Sequence, residues 1–238
     1  QFLFYIRINR PYIGYSLMPM SAKTTPDSSR SQTLDRGLCI LEFIASTNEA
    51  PSIDQVSEHL GLGRSVTYRI IRTLEDHRLV VRDANGRLGG GNQLLALAAN
   101  VRSDLRASAM PVLSQLANTL EMTSFLVVPD ADEVVTIEVV EPSRTAAHIA
   151  YRPGTRHPRT KGAPGIALLA ADPQVSSARS AVKAARKVGW AYSESEVIQG
   201  MASVAAPVAT QPGAPVAAIA VVHLAANFDA QTVAPAVL

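Results

Sequence analysis

The sequence predicts an α+β fold, in which an N-terminal winged helix-turn-helix is joined by a linker helix to a C-terminal α/β domain. Two observations predict this order. Three short helical patterns, separated by Pro51 and by the tight turn Gly61-Leu62-Gly63, precede a hairpin signal at Ala84-Asn85-Gly86. Beyond Thr123 the helical spacing gives way to runs of strand-forming residues interleaved with short alanine-rich helices.

The individual elements follow from the spacing of apolar residues and from cap and turn signals such as Ser52, which can cap the second helix. In the N-terminal half, helices are predicted over 33–47, 52–60, 64–77, 92–105 and about 109–120, with short strands over 79–83 and from 87 onward. In the C-terminal half, strands are predicted over 124–128, 134–140, 146–151, 204–208 and 216–224, and helices over 165–171 and 178–188.

Four segments result from this division. Residues 1–30 are expected to be a disordered or non-native tail, because the first part has no starting Met or secretory-signal order and the rest is rich in Ser, Thr and Pro. Residues 31–91 carry the winged helix-turn-helix, 92–121 form the linker helices, and 122–238 form the C-terminal domain.

The composition fits two modest domains with a sizeable core. The 238 residues are 47% hydrophobic and 18% charged with a formal net charge of +2, so a DNA-binding surface has to be local. No apolar run reaches the ~18 residues of a membrane span, and the single Cys39 gives neither a disulfide framework nor a metal cluster. We expect a cytoplasmic protein with no cofactor, no metal and no membrane partner.

The helix predicted from Arg64 has one apolar and one cationic face. An apolar stripe of Val66, Ile70, Thr73 and Leu74 can pack on the first two helices. Six arginines lie between residues 64 and 87, against three acidic residues. We predict that this face and the hairpin bind double-stranded DNA, through Arg64, Ser65, Thr67, Tyr68, Arg69, Arg72 and Arg87.

These residue types suit both parts of DNA recognition. Arg can bridge O6 and N7 of guanine in the major groove, and Thr67 and Tyr68 can meet a thymine methyl or a phosphate. Arg64 and Ser65 lie at a helix start, where free N–H groups attract phosphate, and Arg87 beside the hairpin turn can reach the minor groove or the backbone. The alternative interpretation is an ordinary solvated face of a three-helix bundle.

Four segments, in order, resemble the IclR family of bacterial transcription regulators over about residues 31–228. They are SQTLDRGLCILEFIA (31–45), GLGRSVTYRIIRTLEDHRLV (61–80), GTRHPRTKGAPGIALLA (154–170) and GMASVAAPVATQPGAPVAAIAVV (200–222). The resemblance implies a GAF-like effector-binding domain, a homodimer that often pairs into a dimer of dimers, and a small-molecule effector from carbon catabolism, commonly a small or aromatic carboxylic acid.

Effector-binding positions carry over on this resemblance alone, and core packing is the alternative for the apolar ones. A carboxylate is expected on the N–H groups of Gly162 and Ala163, where the loop runs into a helix. Apolar Ala220 and Val222 favour a larger, aromatic acid. The positions are Ala146, Ile149, His157, Ala163, Pro164, Ser193, Ser203, Ala220 and Val222.

The sequence departs from the family pattern in three places. Leu88-Gly89-Gly90-Gly91 replaces Tyr-x-Leu-Gly, so the second wing strand is expected to be weak. Thr160-Lys161-Gly162 replaces a His-Ala-Thr-like stretch. The segment over 172–189 is about one helix shorter than usual, which reflects either a true deletion or a flexible loop that the given sequence leaves out.

No catalytic or metal motif stands out, so the chain is not expected to be an enzyme. The five histidines lack zinc-site spacing, and there is no Gly-x-Ser-x-Gly, Walker or dinucleotide motif. Glu194 and Glu196 form a candidate carboxylate pair, more simply read as a solvated edge. Two alternatives remain: an α/β ligand sensor or enzyme with an accessory winged-helix domain, and a structural chromosome-binding protein without an effector.

Overall fold

The computed structural model describes residues 31–238 except 48, 145–150, 178 and 210–215. The chain divides into two compact units, and the boundary lies between Val101 and Arg102. This boundary falls within 92–121, the range assigned to the linker from sequence; the four-segment division stays a prediction. The predicted tail, 1–30, and most of the predicted strand 146–151 lie outside the described residues.

The first unit is built of three helices, a two-stranded wing and a short fourth helix. Ile40, Val56 and Ile71 are fully buried where the first three helices meet, and Leu88 of the wing joins the same core. In order, the elements are α1 (Gln32–Ser46), α2 (Ile53–Leu60), α3 (Arg64–Asp76), β1 (Val80–Arg82), β2 (Leu88–Gly90) and α4 (Gln93–Ala98).

Helix α2 has well-defined start and stop signals, and these set the turn into α3. Gln55 N donates to the Ser52 side chain, while the Gln55 side chain accepts from Ser52 N at 2.8 Å, which completes a capping box. The helix ends at Gly61, whose φ of 62° is left-handed backbone that a residue without Cβ adopts at little cost. The predicted glycine turn therefore begins where the helix must stop.

The wing forms a regular hairpin despite its three glycines. Val80 pairs with Gly90 and Arg82 with Leu88, and Leu88 N also donates to Pro51 O at 2.9 Å. Leu88 therefore anchors the strand that the sequence predicted to be weak. A Cβ on Gly91 would lie 2.1 Å from Arg78 O, so a side chain is excluded there by close backbone approach.

The linker helices differ from the prediction. A helix over 92–105 was expected, but α4 ends at Ala98 and α5 begins at Ser103 and runs to Leu120. Arg102 between them has a φ of 51°, which breaks the helical path. Asn100 is a weak helix former, and Asp104 favours the first turn of a new helix. These local preferences end α4 and start α5, although the apolar residues continue at helical spacing.

The second unit is a six-stranded antiparallel sheet in the order β5-β4-β3-β8-β7-β6. Its strands are β3 (Thr123–Asp130), β4 (Glu133–Val140), β5 (Arg156–Pro158), β6 (Ala191–Glu194), β7 (Met201–Val208) and β8 (Ala217–Leu224). Its helices are α5 (Ser103–Leu120), α6 (Gly162–Ala171), α7 (Ser180–Val188), the 3₁₀ turn Ala225–Asn227 and α8 (Ala230–Val237).

Helices cover both faces of this sheet. Leu116 of α5 and Val233 of α8 pack with Val204 and Val221 on one face. Alternation along the strands turns Phe125, Ser203 and Val222 to the opposite face, the α6 side. Because both faces are covered, the first six residues of β3 are all buried, and residues 125–128 read as a continuous apolar run.

Three C-terminal elements were missed from sequence: β5, β6 and α8. The two strands have three and four residues, too short to display alternation, and α8 carries Pro235 in its interior. Among the helices that the structure describes, none has the length and hydropathy needed to cross a bilayer. In the same residues, no group of three or more His, Cys, Asp or Glu side chains is arranged to hold a metal ion.

Candidate functional site

The cationic face of α3 is exposed, and its apolar face is buried. Ile70, Ile71 and Leu74 are at most 9% exposed, whereas Tyr68 is 44% exposed. Arg69 and Arg72 are exposed as well. The helix is therefore held by one side, and its arginine side remains available to a partner.

Two threonines of α3 were assigned to the wrong faces. Thr67, predicted to contact DNA, is fully buried, and its hydroxyl donates to Gly63 O at 3.3 Å. Thr73, predicted to lie in the apolar stripe, is exposed and donates to Arg69 O. The stripe that packs is Thr67-Ile70-Ile71-Leu74, which follows the i, i+3, i+4, i+7 spacing of one helix face. Thr67 is therefore removed from the interface.

The arginines of the first unit differ in whether their guanidinium groups are already paired within the protein. Arg64 Nη1 lies 2.8 Å from Asp54 Oδ1, but both side chains are more than half exposed, so this pair holds Arg64 weakly. Arg87 Nη1 donates to Gln55 Oε1 at 2.8 Å. Within the described part of the chain, Arg69 and Arg72 make no ion pair, which leaves two uncompensated cations on the exposed face.

Arg82 was not singled out from sequence, yet it connects the wing to α3. Its Nε and Nη2 donate to the two carboxylate oxygens of Glu75 at 3.0 and 3.2 Å. Its guanidinium carbon lies 5.9 Å from the centre of the Tyr68 ring, within cation–π range. A pairing of Glu and Arg across the turn from α3 into β1 leaves no signal in linear spacing, so sequence reasoning had no means of finding it.

In the second unit, the start of α6 and strands β6, β7 and β8 surround a small cavity of about 30 Å³. Six predicted effector positions line it: His157, Ala163, Pro164, Ser193, Ser203 and Val222. Ala220 does not line it but is fully buried in the sheet, paired with Phe125. Ala146 and Ile149 lie outside the described residues. Gly162, where the sequence predicted a bound carboxylate, also lines the cavity. Lining residues that were not assigned to the effector site from sequence are Phe125, Tyr151, Glu196, Val197, Ile198, Met201 and Ala202.

The first N–H groups of α6 are already hydrogen-bonded, contrary to the prediction that they await a carboxylate. Gly162 N donates to Glu196 Oε2 and Ala163 N donates to Ser193 Oγ, both at 2.8 Å. Pro164 has no N–H to offer. The other Glu196 oxygen pairs with the Arg179 guanidinium. The sequence predicted that Glu196 lies on a solvated edge. This prediction is wrong, because its carboxylate is bonded at the start of α6.

Close packing at Gly162 keeps this arrangement compact. Its φ is 74°, and a Cβ there would lie 2.8 Å from Val197 Cγ2 and 3.1 Å from the His157 ring. A side chain would therefore both strain the backbone and displace the groups that line the cavity. Glu194 behaves differently, since it is exposed at the end of β6 and accepts from the Tyr192 hydroxyl at 2.6 Å.

His157 lies at the cavity with one ring nitrogen committed. The residue is 6% exposed, and burial lowers the pKa of its imidazole, which favours the neutral ring. Its Nδ1 lies 3.2 Å from Pro158 O, so the proton is assigned to Nδ1 and donates to that carbonyl. Among the described residues Nε2 has no hydrogen-bond partner. In this tautomer Nε2 is an acceptor.

Two family descriptions match the chain, one in each half. The IclR helix-turn-helix domain matches residues 33–84, and the bacterial transcriptional regulator IclR C-terminal domain matches residues 176–237. The helix-turn-helix fold, together with relatives that are named transcription regulators and repressors, defines the class as DNA-binding transcription regulators of the helix-turn-helix type. The chain belongs to the IclR family, and the resemblance and fold class predicted from sequence are confirmed.

Individual relatives support this assignment. The HTH-type transcriptional regulator Rv1719 of Mycobacterium tuberculosis is 32% identical over 63% of this chain, and the match spans 58% of that relative's length. The glycerol operon regulatory protein of Streptomyces griseus is 28% identical over 74% of this chain and 78% of its own length. A solved IclR homolog from Microbacterium hydrocarbonoxydans, complexed with 4-hydroxybenzoate, has a TM-score of 0.72 at 18% identity, covering 86% of this chain and 94% of its own.

Proposed function

We propose that the chain binds a specific operator sequence through α3 and that a small-molecule effector, bound at the cavity of the second unit, changes its affinity for that operator. The observation that carries the DNA-binding part is the exposure of Arg69 and Arg72 on a helix whose other face is buried. An α-helix fits the major groove, and two uncommitted guanidinium groups on its outer face supply both charge and base-reading donors.

The start of α3 offers a second kind of DNA contact. Its N-cap residue, Gly63, provides no side chain to cap the first turn. The N–H groups of Arg64 and Ser65 therefore suit a backbone phosphate, and the helix dipole adds to the attraction. Such a contact positions the helix but carries no sequence information. Base reading then falls to Tyr68, Arg69 and Arg72, with Arg87 at the hairpin turn reaching the minor groove or the backbone.

The proposed assembly is a homodimer, or a dimer of dimers, because operators with two half-sites are read by two recognition helices. Half-sites are then expected about 34–36 Å apart, one helical turn, or a multiple of it. The effector would act by favouring one arrangement of the DNA-binding units over another. It can shift operator affinity only by the ratio of its affinities for the two arrangements.

The proposed effector is a small organic molecule at the cavity lined by His157, Ser193 and Ser203. From sequence we predicted a carboxylic acid, with an aromatic one favoured by Ala220 and Val222. The complex of an IclR homolog with 4-hydroxybenzoate supports an organic ligand in this fold. The cavity of about 30 Å³ is small beside the several hundred Å³ typical of ligand pockets, so an organic effector requires the lining residues to move apart.

Selection of duplexes from a random library tests the DNA-binding proposal with the full chain. We expect enrichment of a common half-site, and binding of the enriched duplex about 10³-fold or more tighter than a scrambled duplex at physiological salt. Equal affinity for both duplexes would favour the structural chromosome-binding alternative. No binding at any salt concentration would remove DNA as the partner.

A further inference from the structure

The start of α6 contains a carboxylate that belongs to the protein itself. Glu196 Oε2 accepts from Gly162 N at 2.8 Å, in the place where the free N–H of a helix start would receive an acid. The other oxygen of Glu196 forms an ion pair with Arg179, so the positive charge of Arg179 is already compensated. The carboxylate is part of the cavity lining and is about one-quarter exposed.

Two other polar side chains at the cavity, His157 and Ser203, present hydrogen-bond acceptors. His157 Nε2 has a lone pair and no partner among the described residues, in a side chain that is more than nine-tenths buried. Ser203 gives its only hydroxyl hydrogen to Val221 O at 2.8 Å, which leaves its oxygen as an acceptor. Ser193 Oγ accepts from Ala163 N, which leaves its own hydroxyl hydrogen to donate.

We propose that Glu196 permanently fills the anion position at the start of α6, so that the effector enters this cavity with an uncharged hydroxyl group that donates to His157, and not with a carboxylate. This inference rests on the proposed function, because it names the ligand class of the same effector site. Phe125, Met201 and Val222 provide the apolar surface for the rest of the molecule.

Electrostatics disfavour an acid at this position. A second carboxylate beside Glu196 would place two like charges in a small, largely buried space, which raises the pKa of one of them and costs binding energy. It would also leave His157 Nε2 facing another acceptor, because Nδ1 holds the ring proton on Pro158 O. A hydroxyl group is uncharged, so Glu196 does not repel it, and it can donate a hydrogen bond to the unpartnered Nε2 of His157.

Matched pairs of alcohol and acid test the ligand class. The probes are benzyl alcohol against benzoate and 1-propanol against propionate, titrated at constant ionic strength into the full-length wild type and variants, with binding followed by calorimetry and thermal shift. For the wild type, each alcohol is expected to bind at least about tenfold tighter than its acid. For Glu196→Ala, the freed N–H of Gly162 donates to the carboxylate of the acid, and the preference reverses.

Two further variants keep the result interpretable. Glu194→Ala removes the neighbouring exposed carboxylate and is expected to keep the wild-type preference. Glu196→Gln retains an oxygen that accepts from Gly162 N without the charge; if Glu196→Ala does not fold, this variant is expected to bind the acids more tightly than the wild type does.

Each outcome decides the proposal. Acids that bind the wild type as tightly as the alcohols, no binding of either alcohol, or no gain in acid binding in both Glu196 variants would overturn it. Operator binding is measured on the same samples. If operator binding is intact while the ligand preference is wrong, this inference alone fails, whereas loss of wild-type operator binding would point to failure of the proposed function.

Discussion

Glu75 holds Arg82 through two hydrogen bonds between α3 and the wing, and this pair places a guanidinium beside the ring of Tyr68. The pair thus joins the helix proposed to read DNA to the hairpin that accompanies it. Both side chains are about 30% exposed, so the pair adds modestly to stability and more to the orientation of Tyr68.

Glu75→Gln is expected to raise the affinity for scrambled DNA, because it removes a negative charge and releases Arg82 to contact a phosphate. The slope of log Kd against log salt should steepen by about 0.9 for one added phosphate contact. Fluorescence anisotropy over a salt series measures this slope. Asp76→Asn is the control, since it removes the same charge from an exposed neighbour without releasing Arg82; an equal change in both variants would argue against the role of the pair.

Arg69→Ala is expected to weaken operator binding. If Arg69 contacts a base, the loss is about 1–3 kcal/mol for the enriched duplex and small for a scrambled one; if it contacts a phosphate, the salt slope falls by about 1 for both. Competition binding with the two duplexes separates these cases. Lys183→Ala removes one positive charge from an exposed site in the second unit and is expected to leave binding unchanged. Wild-type affinity in Arg69→Ala would exclude this residue from the interface.

Thr67→Val is expected to destabilise the first unit without altering the DNA it prefers. The change removes a buried hydroxyl that donates to Gly63 O, a bond worth about 1 kcal/mol, and leaves that carbonyl with one fewer partner. Chemical denaturation measures the free energy of unfolding, and anisotropy measures DNA affinity below the transition. A change in base preference at unchanged stability would return Thr67 to the interface.

Gly91→Ala is expected to cost about 1–3 kcal/mol of stability, because the new Cβ meets Arg78 O at 2.1 Å and the backbone must shift. Gly89→Ala is the matched control: its Cβ would lie 3.8 Å from Val81 Cγ2, an ordinary contact. Thermal unfolding of the two variants compares them directly. Equal melting temperatures would mean that the wing tolerates displacement at Gly91.

The buried His157 predicts how stability depends on pH. Burial lowers the pKa of this imidazole in the folded state, although the nearby charges of Glu133 and Glu196 oppose the shift. The unfolded chain therefore binds the proton first. The contribution of neutral His157 to the free energy of unfolding is fully present above the unfolded-state pKa of about 6.5. It is lost as the pH falls from there toward the lower pKa of the folded state. Melting temperatures of the wild type should fall in this range more steeply than those of His157→Gln; parallel curves would contradict this assignment.

The sequence predicted those parts of the fold that rest on local signals. The three helices, the Gly61 turn and the hairpin follow from apolar spacing, caps and glycine, and these agree with the structure. The break at Arg102 was missed because the apolar residues continue across it at helical spacing. The exposed face of α3 was found, but Thr67 was placed on it, because threonine by itself does not show whether its hydroxyl serves solvent or a buried carbonyl.

The cavity was harder to predict than the helix. Positions such as His157 and Ser193 came from the family resemblance, and they do line it. The occupation of Gly162 N by Glu196 depends on a contact between residues 34 positions apart, which only tertiary structure brings together. The same holds for Glu75 and Arg82, whose pairing requires that the wing fold back along α3.

Strand pairing also decides the shape of the cavity in the second unit. In the β3–β8 register Phe125 stands opposite Ala220 and Thr123 opposite Val222. A slip of one residue would turn Leu126 toward α6 and send Phe125 to the α5 side, because successive side chains alternate between faces. The ligand preference proposed for this cavity thus depends on backbone hydrogen bonding in the middle of the sheet, and mutations that shift the strand register would alter that preference without replacing any side chain that lines the cavity.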